Sequence, residues 1–232
     1  MSKGIPVIFA TARPPRMVKL LLPSSLYDRS FKIFYNGALI IDHRNVMMAH
    51  HTMDVAAYHE LMDYMENLEY SPCVSIEATD QLFCNHEVNN SFGVPVNPHI
   101  VPLEKMRKLL PTKILLSKVK DEDIEEIMNT FGHKFNIFVT DSGQLVQMSS
   151  KNASKEMAVA HICNELKIPM SHVIAFGDDN NDLGMMKRCG YSVAMGNATE
   201  EIKKYSAEIT ETNDNDGVAM ELERIYKNNL HT

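Results

Sequence analysis

The chain has 232 residues, 44% of them apolar and 23% charged, enough to bury a sizeable core as one large domain or two small ones. A net charge of −7 argues against nucleic acid or an anionic membrane surface as the main partner. No run approaches a membrane span, the N-terminus lacks the apolar core of a signal peptide, and Cys73, Cys84, Cys163 and Cys189 form no C-x-x-C pair; the expected setting is a reducing cytoplasm, without disulfides or a zinc site.

Residues 5–10 are a short apolar run, read as a strand that stops at Thr11-Ala12-Arg13-Pro14-Pro15. A hydroxyl at the C-terminal end of a strand can donate to an anion, and Arg13 adds a fork of donors. As ordinary structure, Thr11 would cap a helix and Arg13 would lie in solvent. A short helix-like stretch follows at 17–22, then a strand at 31–35. Asn36-Gly37 between two apolar runs predicts a hairpin into 38–41.

Residues 42–148 change character. Tyr58, Leu61, Met62, Met65 and Leu68 recur at helical spacing, which places a helix at 54–69 with a methionine-rich packing face. Short strands at 74–76, 82–84 and 113–116, helices at 103–110 and 121–131, and a strand pair 135–139 and 145–148 joined across Asp141-Ser142-Gly143 complete an α+β block. His50, His51, His86 and His99 lie in it without metal-ligand spacing, and read as surface or packed side chains. Strand–helix alternation then resumes. Ser154 is placed to cap a helix at 157–166, with Lys155 in its first turn. A cation there opposes the helix dipole, which hints at a nearby anion; a solvated lysine is the ordinary alternative.

The stretch 173–186 carries the strongest signal. Four apolar residues end at Gly177, and five polar residues follow, three of them Asp (Asp178, Asp179, Asp182), before the apolar period resumes at Leu183, Met185 and Met186. Carboxylates packed where a strand gives way to a helix sit where α/β sheets bind ligands, and they call for a cation. Oxygen-only donors suit Mg²⁺. A capped turn alone would need only one or two such residues. A strand at 191–195, a helix at 199–205 and a last helix at 219–227 follow. Asp214-Asn215-Asp216-Gly217 lacks the later Glu of a calcium loop and is not read as one.

Gly177-Asp178-x-x-Asn181-Asp182, with its continuation from Gly190 to Ala198, resembles the fourth motif of the haloacid-dehalogenase (HAD) superfamily. Within it, the chain is most similar to the Cof-like sugar-phosphate phosphatases. Thr11-Ala12-Arg13-Pro14 resembles the second motif, with Ala12 where Gly is usual, and Lys155 the third, with Glu156 where Gly is common. Tyr35-Asn36-Gly37-Ala38 resembles the mouth of the site, and Asp216-Gly217-Val218 the segment that closes the core. The resemblance implies an α/β fold: a HAD-like, Rossmann-type core of parallel strands from residues 1–41 and 149–232, with an inserted α+β cap at 42–148. It implies catalytic roles for Lys155 and Thr11, substrate contacts from Asn36, Asn181 and Arg13, and Mg²⁺ held by Asp178 and Asp182. The implied activity is Mg²⁺-dependent hydrolysis of a small phosphorylated metabolite, sugar phosphates foremost. The family's nucleophile motif, Asp-x-Asp-Gly-Thr, does not occur in the 232 residues. Two expectations follow: a truncated gene product of a phosphatase, or a catalytically inactive phosphate-ester-binding module. Either has little turnover as it stands. An absent first strand would also expose apolar sheet surface or an edge, which would leave the chain less stable than a full-length relative or be buried in a homodimer.

Overall fold

A computed structural model describes residues 4–88, 97–140 and 143–228. The chain divides into two compact units, Met1–Ala153 and Ser154–Thr232.

The first unit opens with β1 (Ile8–Ala10), α1 (Pro15–Leu21), α2 (Ser24–Tyr27), β2 (Phe31–Phe34), β3 (Leu39–Ile41) and β4 (Met47–His50). These strands form one sheet in the order β1-β2-β3-β4, with β1 parallel to β2 and the later pairs antiparallel. Every residue of β2 is buried, as its run Phe-Lys-Ile-Phe demands, and the lysine within it is satisfied: Lys32 Nζ donates to the Tyr27 carbonyl and to Asn45 Oδ1.

The same unit continues through α3 (Val55–Glu66), β5 (Cys73–Ala78), β6 (Gln81–Cys84), β7 (His99–Ile100), α4 (Leu103–Met106), β8 (Lys113–Ser117), α5 (Asp121–Phe131), β9 (Phe135–Thr140) and β10 (Leu145–Ser150). A six-stranded sheet results, ordered β7-β6-β5-β8-β10-β9 and antiparallel except between β6 and β7. The helical spacing read from the sequence is what packs: Tyr58, Leu61, Met62 and Met65 of α3 join Ile127 and Phe131 of α5 and the strand residues Val74, Ile76, Ile114, Leu116 and Met148 in one core. The methionines fill this core, and Tyr58 reaches its buried polar partner, donating to the Met106 carbonyl at 2.6 Å.

The second unit alternates strand and helix: α6 (Lys155–Leu166), β11 (Ile174–Gly177), α7 (Leu183–Arg188), β12 (Tyr191–Ala194), α8 (Glu200–Tyr205), β13 (Glu208–Ile209) and α9 (Gly217–Asn228). Its sheet is wholly parallel, ordered β11-β12-β13. Val159, Ile162, Met186, Val193 and Ile202 are buried around it. Among the described residues, no helix is long and apolar enough to cross a membrane.

Several local expectations change. Asn36-Gly37 does not make a two-residue hairpin turn. A 3₁₀ turn over Tyr35–Gly37 holds all three residues at positive φ (52°, 57° and 109°), so the hairpin from β2 to β3 has a wider loop. The helix expected at 103–110 stops at Met106, because the amides of Lys108 and Leu109 turn back three residues, to Lys105 and Met106, ahead of Pro111. Four elements escaped the reading: α2, β4, β7 and β13. They are two to four residues long, too short to display a period. In the turn between β9 and β10, Asp141 and Ser142 lie outside the described residues.

Candidate functional site

In the second unit the site grows from the end of β11. Gly177 is required there: a Cβ at this position would lie 2.8 Å from the Asp182 Cβ. The chain then makes a tight 3₁₀ turn over Asn180–Asp182, closed by a reciprocal capping box between Asp179 and Asp182. One carboxylate oxygen of Asp182 is spent on this loop, accepting from the amides of Asp178 at 3.1 Å and Asp179 at 3.4 Å. Its other oxygen accepts from Lys155 Nζ at 2.7 Å. Lys155 also donates to Asn181 Oδ1 at 3.1 Å. The lysine arrives on the first turn of α6, whose N-cap Ser154 accepts from the Met157 amide at 3.0 Å. Its side chain is 7% exposed and that of Asp182 6%, so each charge depends on the other. The anion that the unfavourable lysine position hinted at is therefore found within the chain.

Asp178 differs from Asp182. It is exposed, and its Oδ2 accepts from Asn197 Nδ2 at 3.4 Å while its carbonyl accepts from the Thr199 amide at 3.0 Å. An open carboxylate beside a buried, lysine-neutralised one suits Mg²⁺, which keeps several waters and takes one or two protein carboxylates. Among the described residues, no group of three or more His, Cys, Asp or Glu side chains forms a complete protein cage.

The first unit carries the other candidates. The Thr11 amide donates to the Ile33 carbonyl at 2.9 Å, and its own carbonyl accepts from the Asn36 amide at 3.0 Å, so Thr11 and Asn36 are tied by backbone at the end of β1. Thr11 Oγ1 accepts from the Arg13 amide at 3.1 Å, which leaves the hydroxyl proton to donate elsewhere. Thr11 caps no helix; α1 starts at Pro15, behind Pro14. Arg13 is exposed, and Asn36 is buried in its left-handed conformation. Behind this loop, Arg16 Nη1 and Nη2 grip both oxygens of Glu77 at 2.7 and 2.6 Å, and Tyr35 Oη donates to the same carboxylate at 3.4 Å. Burial, and next the Glu77 charge, hold the Tyr35 phenol far above its ordinary pKa, so it remains a donor.

The sequence profile of the haloacid dehalogenase-like hydrolase family matches residues 1–222. The chain belongs to that family. A phosphoglycolate phosphatase of Methanobrevibacter smithii is 31% identical over 115 residues, 50% of this chain and 49% of the relative, so that match spans about half the length of either protein. A 5-amino-6-(5-phospho-D-ribitylamino)uracil phosphatase of Bacillus subtilis is 24% identical over 235 residues, 95% of this chain and 84% of the relative. The crystal structure of a haloacid dehalogenase-like hydrolase from Bacteroides thetaiotaomicron superposes with a TM-score of 0.84 at 24% identity, covering 97% of this chain and 88% of that one. The fold is the HAD-like α/β fold.

The departure from the HAD pattern at Glu156 has a structural counterpart. Its carboxylate turns to Arg188 at 2.8 Å and lies over Gly184, where a Cβ would meet Glu156 Oε2. The structure brings Lys155, Asn181 and Asp182 together around one ammonium, beside Asp178, and links Thr11, Arg13 and Asn36 through one loop. Sequence alone places Asp179 only within the acidic cluster and Asn197 only within the fourth-motif continuation, and singles out neither Arg16 nor Glu77. The capping box was within reach, since Asp179 stands three residues before Asp182. The Arg16–Glu77 pair spans 61 positions and leaves no local trace.

Proposed function

We propose that this chain binds small phosphorylated metabolites, sugar phosphates foremost, at a site built for Mg²⁺-dependent phosphomonoester hydrolysis. The observation that supports this most is the buried Lys155–Asp182 pair at the end of β11, beside the open carboxylate of Asp178. An ammonium has three N–H donors. Asn181 and Asp182 take two, and the third is assigned to a phosphoryl oxygen. Asp178 would hold Mg²⁺, with Asp182 as the carboxylate behind it; the ion, when bound, neutralises charge on the transferring group. In the first unit, Thr11 and Arg13 are proposed as anion donors and Asn36, tied to Thr11 by backbone, as a substrate contact. Residues 42–148 are the proposed cap and residues 1–41 with 149–232 the proposed core.

A second reading is a phosphate-ester-binding module without turnover, in which Lys155 and the neighbouring carboxylates hold the ester and its metal but carry no reaction. A carboxylate nucleophile forms the covalent intermediate in this class of chemistry, and lysine, hydroxyl and metal supply only charge stabilisation without it. The deciding assay offers p-nitrophenyl phosphate, phosphoglycolate and a panel of sugar phosphates with Mg²⁺ to the native chain, to Asp178→Ala, and to a chain with the motif-bearing strand added. Turnover that Asp178→Ala abolishes supports the hydrolase. Ester binding without turnover supports the module. Neither binding nor turnover in any version would overturn both.

A further inference from the structure

We propose that Arg16 is a positioning residue that holds the Thr11–Arg13 loop in its ligand-ready shape from the six-stranded sheet; the proposal rests on the anion-binding reading of that loop. Arg16 stands on the first turn of α1, three residues beyond Arg13. Its guanidinium is gripped by Glu77 at the end of β5, whose side chain is 7% exposed. Asp80 adds a second hold: its Oδ1 accepts from the Arg16 amide at 3.2 Å and from Nη1 at 3.3 Å. Backbone and side chain of one residue are thus both tied to a single hairpin. A neighbouring tie acts on the loop itself, where the buried Lys113 of β8 reaches the Ala12 carbonyl at 3.4 Å.

The hairpin that supplies these groups is strained. Thr79 and Asp80 connect β5 to β6 as a two-residue turn, with Ala78 paired to Gln81, and both have positive φ, 50° and 59°. Turns of this kind favour Asn-Gly, and a β-branched residue in the left-handed region is a genuine outlier. Strain of this sort is kept where the surroundings over-determine it, and here the turn delivers the Asp80 carboxylate to Arg16. A bidentate guanidinium–carboxylate pair also fixes direction, which a lysine in place of Arg16 would not do. The loop's geometry is therefore set by residues 61 to 64 positions away rather than by its own sequence.

The test compares the native chain with Arg16→Gln/Glu77→Gln, which removes both charges and leaves no buried carboxylate unpaired, with Asp80→Asn, which cuts only the outer tie, and with Arg16→Lys. Two readouts are taken: amide hydrogen exchange over residues 8–18, and affinity for inorganic phosphate in the presence of Mg²⁺. The double variant should exchange about 10-fold faster over residues 11–16 and Asp80→Asn a few-fold faster, in the regime of local opening. Phosphate affinity should fall about 5- to 10-fold in the double variant, and Arg16→Lys should recover melting temperature without recovering affinity. Unchanged exchange in the double variant, or full recovery of affinity by Arg16→Lys, would overturn the proposal. Faster exchange in the double variant of a chain that binds no phosphate, or in which Thr11→Ala binds as well as native, would support the tether and sink the anion reading of Thr11 instead.

Discussion

Removing Lys155 is the sharpest test of the cluster at the end of β11. Lys155 Nζ and Asp182 Oδ1 are 2.7 Å apart, with side chains 7% and 6% exposed. At an effective dielectric of 20, two unit charges at that distance attract by about 6 kcal/mol. Taking each ion out of water costs several kcal/mol, so the intact pair contributes little net stability. The asymmetry appears when one partner goes. In Lys155→Met, the Asp182 carboxylate stays buried with only the amides of Asp178 and Asp179 to satisfy it, and the expected loss is about 3–5 kcal/mol. Asp182→Asn keeps the volume and an acceptor for those amides but strands the ammonium, at a cost of a similar order. In the double variant no charge remains, so the loss should fall short of the sum of the singles by about 2 kcal/mol or more. Urea denaturation at neutral pH provides the measurement. The chain has no Trp, so the transition is followed by far-ultraviolet circular dichroism, with hydrogen exchange over residues 154–188 assigning it to the second unit. The coupling should survive added salt, because a buried pair is screened weakly. A coupling below about 0.5 kcal/mol, the level of an exposed ion pair, would refute the reasoning.

Gly177→Ala should destabilise the chain by about 1–3 kcal/mol, since its Cβ would lie 2.8 Å from the Asp182 Cβ and the capped turn must shift; a melting temperature within a degree of native would contradict this. Ser154→Ala removes the N-cap of α6 and should cost about 1 kcal/mol in urea unfolding. Asp42 tests the acid side. Burial pushes its carboxyl up, but the Val46 amide and the Arg44 side chain and amide bring it from 3.8 to about 2. A folded-state value below the unfolded one stabilises above pH 3.8 and is lost as the pH falls through about 2, so Asp42→Asn should flatten that part of the acid unfolding curve, and an unchanged curve would count against the assignment.

The sequence alone determined the elements with a clear local period, while two local expectations, the Asn36-Gly37 turn and a helix running to residue 110, gave way in the structure. The α3 face through Tyr58, Leu61, Met62 and Met65 was legible because helical spacing and burial are the same fact seen twice. The parallel strand β11 was legible as an apolar run ended by glycine, and the five polar residues after it, too many for an ordinary turn, marked the candidate site. Lys155 drew notice because a cation opposed the helix dipole there, but a solvated lysine fitted equally well, and the resemblance to the third motif was what favoured it. The tertiary structure alone decided what each charge does. Asp178 and Asp182 read alike in sequence, yet one is open to solvent and the other is enclosed by Lys155 and the loop amides, because the 3₁₀ turn carries Asp182 back under its own strand. Arg16 and Glu77 gave no signal, since a pair closed across 61 residues leaves no periodicity to read. Burial and partner choice are set by where distant segments meet, and those meetings determine whether a carboxylate is a ligand, a cap or a counter-ion.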